Sequence, residues 1–260
     1  MKPTYTNEFV ELYQGNTLEL LKDIEDESVD VIMTDPPFFL SNGGISCHNG
    51  SMVSVDKGDW DKLDGVMTMV EFYDIFLTEA KRILKPNGTI WVFGTMHNIY
   101  VLGNLLINLD YKILNNITWQ KTNPAPNLSC RMFTHSTETI LWAKKSKDSK
   151  HYYNYELMKE QNGGKQMKDV WTSSTTKPSE KRDGKHPTQK PLKLMERMIL
   201  SSTKKGDVVL DCFSGSGTTL IAGYQLERKM IGIELEDEYI DLTVKRLKSA
   251  ELLNNQVKLF

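Results

Sequence analysis

Residues 29–38 read Val-Asp-Val-Ile-Met-Thr-Asp-Pro-Pro-Phe, an apolar run that ends in a carboxylate, two prolines and an aromatic ring. A short apolar run bounded by turn residues is typical of a parallel strand that is buried on both faces. The prolines end the strand and lack N–H donors, so the carbonyl of Pro36 is held in one direction. The stretch therefore predicts that Asp35, Pro36, Pro37 and Phe38 lie together beyond the carboxyl end of a buried strand.

On both sides of this stretch, apolar runs alternate with helical patterns, which indicates an α/β fold with a doubly wound, mostly parallel sheet. Seven strands are predicted, over residues 9–13, 29–34, 89–93, 113–119, 139–143, 208–212 and 230–233. Six helices are predicted, over residues 18–24, 66–84, 98–108, 191–202, 216–226 and 237–253. The sequence Lys-Pro-Asn-Gly at residues 85–88 predicts a stop and a turn after the second helix.

The composition fits a single domain over residues 1–260, with 39% hydrophobic residues to form its core. A net charge of −2 means that any surface for nucleic acid must be local. Three widely spaced cysteines argue against disulfides and against a zinc site, so no metal is expected. No stretch approaches the ~20 apolar residues of a membrane span, and we expect a cytoplasmic protein without a membrane partner.

Two long polar stretches, residues 41–63 and 144–185, interrupt the alternation of strands and helices. Irregular segments of this length inside a compact domain are usually functional loops or disordered. Both follow predicted strands, and open α/β sheets bind their ligands beyond the carboxyl ends of strands. The two stretches are therefore candidates for binding a large partner.

A second informative stretch, residues 211–219, reads Asp-Cys-Phe-Ser-Gly-Ser-Gly-Thr-Thr and joins a predicted strand to a helix. Gly215 and Gly217 let the backbone approach a ligand closely. The lysine of a P-loop is missing, and Leu220 stands where a dinucleotide fingerprint has its third glycine. Glu234 ends the next strand, where it can accept hydrogen bonds from ribose hydroxyls. Taken alone, these residues leave open a nucleoside-type cofactor, a nicotinamide dinucleotide, and a packing turn with a surface acid.

The tetrapeptide at residues 35–38 suits chemistry on an amino group attached to an aromatic base. The carboxylate of Asp35 and the carbonyl of Pro36 can accept hydrogen bonds from the two N–H groups of this amine and so pull its nitrogen toward tetrahedral geometry. Phe38 can stack on a base flipped out of a helix. Catalysis would then consist mainly of positioning and electrostatic stabilisation. Taken alone, the tetrapeptide could also be an ordinary turn at the end of a strand.

The two motifs, with the Asp-Pro-Pro-aromatic motif first, resemble those of the β-class amino methyltransferases of restriction–modification systems. The resemblance covers nearly the whole chain and includes residues 115–129, 135–144 and 185–191. Residues 38–46, 53–62 and 164–171 are similar to the DpnA-type adenine methyltransferases, the partners of a GATC-cleaving endonuclease. Two positions depart from the usual family pattern, with Phe38 in place of Tyr and Cys212 in place of Pro. The first departure keeps the stacking face and is not expected to inactivate the enzyme.

The resemblance implies the fold of S-adenosylmethionine-dependent methyltransferases with a circularly permuted order of motifs. It also implies methyl transfer to N6 of adenine in DNA, within GATC and in double- or single-stranded form, which protects host DNA from a cognate restriction endonuclease. Adenine enzymes favour Asp at the first position of the tetrapeptide and N4-cytosine enzymes favour Ser, so Asp35 favours adenine. Relatives often form homodimers.

The resemblance assigns site residues one by one. The implied catalytic residues are Asp35, Pro36, Pro37 and Phe38. The implied cofactor-binding residues are Asn16, Thr17, Asp35, Lys190, Asp211, Phe213, Gly215, Ser216, Gly217, Thr218, Thr219 and Glu234. Lys190 is the expected partner of the cofactor carboxylate, and Glu234 is the expected ribose ligand.

Residues that contact DNA are predicted in and around the two long stretches and at the strand end near residue 119. They are Ser41, Asn42, Trp119, Lys121, Asn123, Arg131, Lys165 and Lys168. The aromatic residues at 152, 153, 155 and 171 could either form a stacking surface for DNA or pack in the core.

Four alternatives to methylation of adenine in DNA remain open at this point. They are methylation of N4 of cytosine, RNA or free nucleotides as the substrate, a catalytically silent DNA-binding subunit, and a nicotinamide enzyme. Intact Asp35, Gly215, Gly217 and Glu234 count against a silent subunit, and a nicotinamide enzyme leaves the tetrapeptide without a role. C5-cytosine methylation is disfavoured because no cysteine follows a proline.

Overall fold

The computed structural model describes residues 2–39, 45–48, 51–54 and 67–257. Its strands are β1 (Tyr5–Thr6), β2 (Val10–Gln14), β3 (Val29–Thr34), β4 (Ile45–His48), β5 (Ser51–Ser54), β6 (Leu84–Gly94), β7 (Lys112–Lys121), β8 (Thr137–Lys144), β9 (Val170–Ser173), β10 (Val208–Asp211) and β11 (Lys229–Glu234). Its α-helices are α1 (Thr17–Leu20), α2 (Met69–Ile83), α3 (Ile99–Asn108), α4 (Tyr155–Gln161), α5 (Leu192–Ser202), α6 (Thr218–Gln225) and α7 (Asp237–Val257). Short 3-10 turns follow α1 at Leu21–Asp23 and precede α5 at Pro178–Lys181.

Within the part of the chain that the structure describes, the main sheet has nine strands in the order β1-β2-β11-β10-β3-β6-β8-β7-β9. Strands β2, β11, β10, β3 and β6 are parallel to their neighbours in this series. The antiparallel pairs are β1 with β2, β6 with β8, and β7 with β8. All seven predicted strands are therefore confirmed. The predicted total of seven is too low, because the sheet has one further strand at each edge, β1 and β9.

The stretch 144–185, which was predicted as a loop, contains α4 and β9. Strand β9 runs parallel to β7, and its Trp171 is buried against the sheet. Within the stretch 41–63, β4 and β5 form a two-stranded antiparallel hairpin, and the remaining residues lie outside those that the structure describes. The polar composition hid these elements because short edge strands and hairpins have little apolar periodicity.

Helix α2 ends at Ile83, as the Lys-Pro-Asn-Gly sequence at residues 85–88 predicted, but no separate turn follows it. Strand β6 begins at Leu84, and the register shifts so that Val29 pairs with Leu84 while Val31 pairs with Thr89. The four residues between Leu84 and Thr89 therefore bulge out of the sheet. The start of α2 is fixed by a capping box between Thr68 and Glu71.

The sheet is covered by apolar residues on both faces, as a doubly wound fold requires. In β3, Met33 belongs to the cluster on one face and its neighbour Ile32 to the cluster on the other. In β10, Val209 and Leu210 are divided in the same way. Successive side chains of a strand point to opposite faces, so these alternations place the central strands within the core.

Parallel pairing brings the carboxyl ends of β2, β3, β10 and β11 to one edge of the sheet. This catalytic edge carries the segments after β2, β3, β10 and β11. Strand β8 runs antiparallel to β6, with Gly94 opposite Thr139, so β8 begins at the same edge. The segment between β7 and β8, residues 122–136, therefore also emerges there. None of the described helices combines the length and apolar character needed to cross a membrane.

Candidate active site

A cleft with about 980 Å³ of empty space opens at the catalytic edge, and part of that space is open to solvent. The sequence-predicted residues among its lining are Asn16, Thr17, Asp35, Pro37, Lys190, Asp211, Phe213, Gly215, Ser216, Thr218, Thr219 and Glu234. Residues separated by up to about two hundred positions in the chain thus meet around one cavity.

The turn between β10 and α6 forms one side of the cleft. Gly215 and Gly217 have φ angles of 52° and 69°, which favour glycine because a Cβ atom is strained there. A Cβ atom on Gly217 would also lie 2.5 Å from Cγ2 of Thr243. The two glycines thus allow a tight turn that carries the start of α6 into the cleft wall.

Helix α7 holds this turn from behind through two residues that the sequence motifs did not identify. The Thr243 hydroxyl donates to the carbonyl of Gly215 at 2.9 Å. The Arg246 guanidinium donates to the carbonyl of Ser216 and, at 3.1 Å, to Oγ1 of Thr218. Burial lowers the pKa of Arg246 from its ordinary value. No local signal marks these residues, because both act across the fold on a segment about 28 positions away.

Glu234 lies at the end of β11 and faces the same turn. Its carboxylate accepts backbone N–H groups from Gly215 at 2.7 Å, Leu235 at 2.8 Å and Glu236 at 2.9 Å. Burial raises the pKa of Glu234, and these backbone hydrogen bonds oppose that shift. The side chain is therefore fixed in the wall of the cleft at the position predicted for a ribose ligand.

Asn16 and Thr17 shape the cleft from the end of β2. The Asn16 side chain accepts the N–H of Leu18 at 2.9 Å and caps α1. The buried Thr17 hydroxyl donates to the carbonyl of Cys212, which ties α1 to the end of β10. Both residues line the cleft as predicted.

Asp211 is a buried carboxyl group at the end of β10. Its pKa is raised to about 7, mainly by burial and also by the nearby carboxylates of Asp35 and Glu234, against hydrogen bonds from Thr219 and from the Phe213 backbone that lower it. Several acidic groups around one cavity favour a ligand that carries a positive charge. The ring of Phe213 packs against those of Phe72 and Phe76 in α2 at centroid distances of 6.0 and 5.4 Å.

The Asp-Pro-Pro-Phe motif lies across the cleft, directly after β3. The ammonium group of Lys190 donates to Oδ2 of Asp35. The Tyr73 hydroxyl donates to the carbonyl of Pro37 at 2.5 Å and accepts from the Asn98 amide at 3.1 Å. Tyr73 is fully buried in α2, so it anchors the proline pair to the core. Its apolar surroundings in the sequence gave no sign of this role.

Lys190 also contacts a second carboxylate that the motifs did not identify. Nζ of Lys190 lies 3.4 Å from Oε2 of Glu138, and Nζ of Lys121 lies 2.6 Å from Oε1 of the same group. The Lys190 ammonium lies 5.0 Å from the ring centroid of Phe93 and 5.8 Å from that of Phe38. Burial acts to lower the pKa of Lys190, but the two carboxylates outweigh it, so that pKa is raised. Burial likewise acts to raise the pKa of Glu138, and the two lysines lower it.

His186 fills the space beside the glycine turn. Burial lowers its pKa to about 3, helped by the positive charges of Lys190, Arg246 and Lys181. A Cβ atom on Gly215 would lie 3.1 Å from Nε2 of His186, and the ring packs edge-on against Tyr239 at 4.2 Å. His186 is therefore a neutral wall of the cleft.

Phe38 is only 7% exposed and does not line the cleft. In this conformation its ring faces Lys190 and presents no open surface to a base. The stacking role of Phe38 stays a prediction.

The residues predicted to contact DNA fall into three groups. Ser41 and Asn42 lie outside the described residues. Arg131, Lys165 and Lys168 are exposed, whereas Lys121 is engaged with Glu138 and Asn123 is hydrogen-bonded to Thr175.

Trp119 requires a correction, because it is 2% exposed and its indole N–H donates to Ser173 at 2.8 Å. It packs in the core and does not offer a surface to DNA. Of the two roles considered for the aromatic residues in and near 144–185, core packing describes Trp171, which is buried beside the stacked pair of Trp91 and Trp142.

Comparisons with known proteins agree with this geometry. A family model described as DNA methylase matches residues 29–245. The type II methyltransferase M2.LlaDCHI of Lactococcus lactis subsp. cremoris is 60% identical over 247 residues, which cover 95% of this chain and 92% of that protein. The type II methyltransferase M2.DpnII of Streptococcus pneumoniae is 57% identical over 254 residues, covering 97% of this chain and 95% of that protein.

Solved structures give the same assignment. The crystal structure of the M1.HpyAVI–SAM complex is similar with a TM-score of 0.67 at 30% identity, covering 92% of this chain and 98% of that one. The cytosine-N4-specific PvuII DNA methyltransferase, with a TM-score of 0.74 at 22% identity, covers 98% of this chain and 95% of that one, and shares the fold. The chain therefore belongs to the DNA methylase family and is a DNA methyltransferase that uses S-adenosylmethionine.

Proposed function

We propose that this protein methylates N6 of adenine within GATC, as the modification enzyme of a restriction–modification system. The observation that carries the proposal is the position of Asp35. Its carboxylate lies at the end of β3, in the same cleft as the glycine turn and Glu234. Substrate and cofactor groups can therefore meet within a single cavity.

The residues present fit S-adenosylmethionine. When bound, this cofactor supplies an electrophilic methyl group on a positively charged sulfur. We infer that Glu234 accepts hydrogen bonds from its ribose, that the turn at residues 213–219 follows its backbone, and that Asp211 balances its positive charge. Asn16 and Thr17 close the far end of the cleft. The predicted contact of Lys190 with the cofactor carboxylate remains part of the proposal, since Lys190 lines the cleft.

On the substrate side, we infer that Asp35 and the carbonyl of Pro36 accept hydrogen bonds from the N–H groups of the target amine. These acceptors orient the nitrogen lone pair, and the proton leaves after the new bond has formed. Tyr73 holds the proline pair through Pro37, so the acceptor carbonyl is part of a fixed segment. Preorganised acceptors of this kind typically contribute about 10²–10³-fold in rate.

The choice of adenine and of GATC rests on sequence similarity. Residues 38–46, 53–62 and 164–171 resemble the DpnA-type enzymes, and the chain is 57% identical to M2.DpnII and 50% identical to M2.MboI of Moraxella bovis. The Asp at position 35 favours adenine over cytosine. Pairing with a restriction endonuclease, and a homodimeric state, belong to the same proposal.

We propose that DNA crosses the catalytic edge of one domain spanning residues 1–260. Its contacts would come from the stretch 41–63, from the segment 122–136, and from the part of the stretch 144–185 that follows β9. The start of that last stretch leaves β8 at the opposite edge of the sheet, where Tyr152 lies beside Lys204. Arg131 in that segment is exposed next to Met132 and Phe133, which are 61% and 96% exposed. A cation beside apolar side chains suits a nucleic acid, because it offers both phosphate and base contacts.

The proposal is tested by methyl transfer from labelled S-adenosylmethionine to four oligonucleotides. They are a GATC duplex, a GATC single strand, a scrambled duplex, and a GATC duplex whose adenines are already N6-methylated. We expect label on a GATC substrate and none on the scrambled or pre-methylated duplexes, and the ratio of the first two gives the strand preference. Label on the scrambled duplex would overturn the specificity. Absence of label on all four, with cofactor binding intact, would overturn the proposed substrate and favour a silent subunit.

A further inference from the structure

Glu138 is a largely buried carboxylate that is linked to the catalytic motif through Lys190. It lies at the start of β8, where its side chain is 12% exposed and is paired with Lys121 and Lys190. Lys190, whose side chain is 9% exposed, is at the same time paired with Asp35. A chain of ion pairs thus runs from Lys121 through Glu138 and Lys190 to Asp35.

The four side chains of this ion-pair chain carry two positive and two negative charges. Buried charges are tolerated when they are paired, and removing one partner leaves another without compensation. Lys190 comes from the segment before α5, Glu138 from β8, and Asp35 from the end of β3, so three separate parts of the fold converge on one ammonium group. The surrounding rings of Phe93 and Phe38 limit where that ammonium can move.

Two groups interact with the carboxylate of Asp35. It is paired with Lys190, and it must accept a hydrogen bond from an N–H group of the target amine when the amine enters. If Asp35 were the sole carboxylate beside Lys190, the ammonium would compete with the amine for it. Glu138 supplies a second carboxylate, with which Lys190 can stay paired while Asp35 accepts a hydrogen bond from the amine.

We propose that Glu138 is a positioning residue, which holds Lys190 so that Asp35 can bind the target amine. This inference rests on the proposed role of Asp35 in methyl transfer to an amino group. It predicts that Glu138 affects the rate of methyl transfer more strongly than the binding of S-adenosylmethionine, because Lys190 keeps its charge for the cofactor carboxylate when Glu138 is changed. It also predicts that the effect of Glu138 passes through Lys190.

The first test is Glu138→Gln, which keeps the shape of the side chain and removes its charge. We expect kcat to fall about 10–100-fold while the Kd for S-adenosylmethionine changes less than about threefold. Glu138→Asp should recover part of the rate. The matched control is Glu27→Gln, which breaks the ion pair of Glu27 with Lys145 at 3.0 Å, outside the cleft lining, and should leave kcat unchanged.

The second test is a double-mutant cycle with Lys190→Met. If Glu138 acts through Lys190, then Glu138→Gln should lower kcat less than about twofold in the Lys190→Met background. Equal losses in both backgrounds would overturn the proposal. Should Glu138→Gln fail to fold, Glu138→Gln/Lys121→Gln removes both members of a pair, and a wild-type kcat in that variant would also overturn it. Failure of the proposed function is distinguishable, because the wild-type protein itself would then show no transfer.

Discussion

The two sides of the cleft are held in place by different kinds of contact. The cofactor wall consists of residues 211–219 and Glu234. It is organised by backbone groups, namely two glycines with positive φ angles and three backbone N–H groups that donate hydrogen bonds to one carboxylate. The target wall is organised by charged side chains from distant segments. Its Asp35 and Lys190 line the cleft, and its Phe38 and Glu138 contact Lys190 from outside that lining. A backbone scaffold fixes a shape, whereas an ion-pair chain can exchange partners when a substrate enters.

This difference predicts that changes in the two walls separate into two kinds of defect. Damage to the cofactor wall should weaken binding of S-adenosylmethionine, and damage to the target wall should slow transfer by an enzyme that still binds it.

The largest expected effect is that of Asp35→Ala. Loss of the acceptor for the target amine should reduce methyl transfer about 10³-fold or more, while the Kd for S-adenosylmethionine stays within about tenfold. The measurements are single-turnover transfer and calorimetric cofactor binding.

The matched control for Asp35→Ala is Asp30→Ala, on the strand that Asp35 follows. Asp30 pairs with Lys85 at 2.7 Å and accepts the N–H of Val208, so its loss should lower the free energy of unfolding and leave transfer intact. Turnover by Asp35→Ala close to the wild-type rate would remove Asp35 from the reaction.

Gly217→Ala should damage the cofactor wall. The new Cβ atom meets Thr243 at 2.5 Å in a backbone conformation with φ of 69°, so the turn must shift. We expect the Kd for S-adenosylmethionine to rise about tenfold or more, and the free energy of unfolding to fall by about 2 kcal/mol. Isothermal calorimetry and chemical denaturation measure the two effects.

Gly163→Ala separates the two causes. Gly163 has a φ of 65°, and among the described residues other than its two chain neighbours no heavy atom lies within 4 Å of its Cβ position. It should cost about 1–2 kcal/mol from backbone strain alone, with unchanged cofactor binding. Equal cofactor binding by wild type and Gly217→Ala would show that the turn does not need its observed shape.

The pH dependence of cofactor binding reports on Asp211. Its pKa of about 7 in the free protein means that the carboxyl is largely protonated at pH 6. A cationic ligand favours the ionised form, so binding releases a proton and affinity rises with pH. We expect about a fivefold gain between pH 6 and pH 7.

Asp211→Asn should remove this slope. Asp35 and Glu234 are the acidic neighbours that contribute to the pKa of Asp211. An unchanged slope in Asp211→Asn would therefore assign the titration to another group, and Glu234→Gln would identify it.

The smallest expected effect lies outside both walls. Arg131→Ala should weaken DNA binding a few-fold and reduce the slope of log affinity against log salt by about one, because one phosphate contact is lost. Lys205→Ala is the control, since Lys205 precedes β10 and lies at the opposite edge of the sheet. An equal loss in both variants would place DNA elsewhere.

The same contrast explains how far the sequence predicted the molecule. The seven central strands, six helices and cofactor wall were readable because apolar periodicity and glycine positions are local signals. Glycine at a turn with positive φ marks its own place in the chain. The local patterns therefore pointed to Gly215, Gly217 and Glu234, whose roles toward the cofactor stay predictions, and they gave no sign of the supports that α7 supplies.

The target wall was only partly predicted because its contacts join distant positions. Lys190 and Asp35 are 155 residues apart, and no local pattern marks Glu138 as the second partner of Lys190. Tyr73, Thr243 and Arg246 escaped notice for the same reason. Trp119 was assigned to the DNA surface because composition cannot distinguish an aromatic residue that is buried from one that is exposed.

The central claim is that the target wall presents an amino group of adenine to the cofactor wall. It is tested most directly by digesting a methylated GATC duplex to nucleosides and identifying the labelled product by mass spectrometry. We expect N6-methyladenine as the labelled nucleoside, formed by the wild type and not by Asp35→Ala. N4-methylcytosine, or N6-methyladenine formed equally well by both proteins, would contradict it.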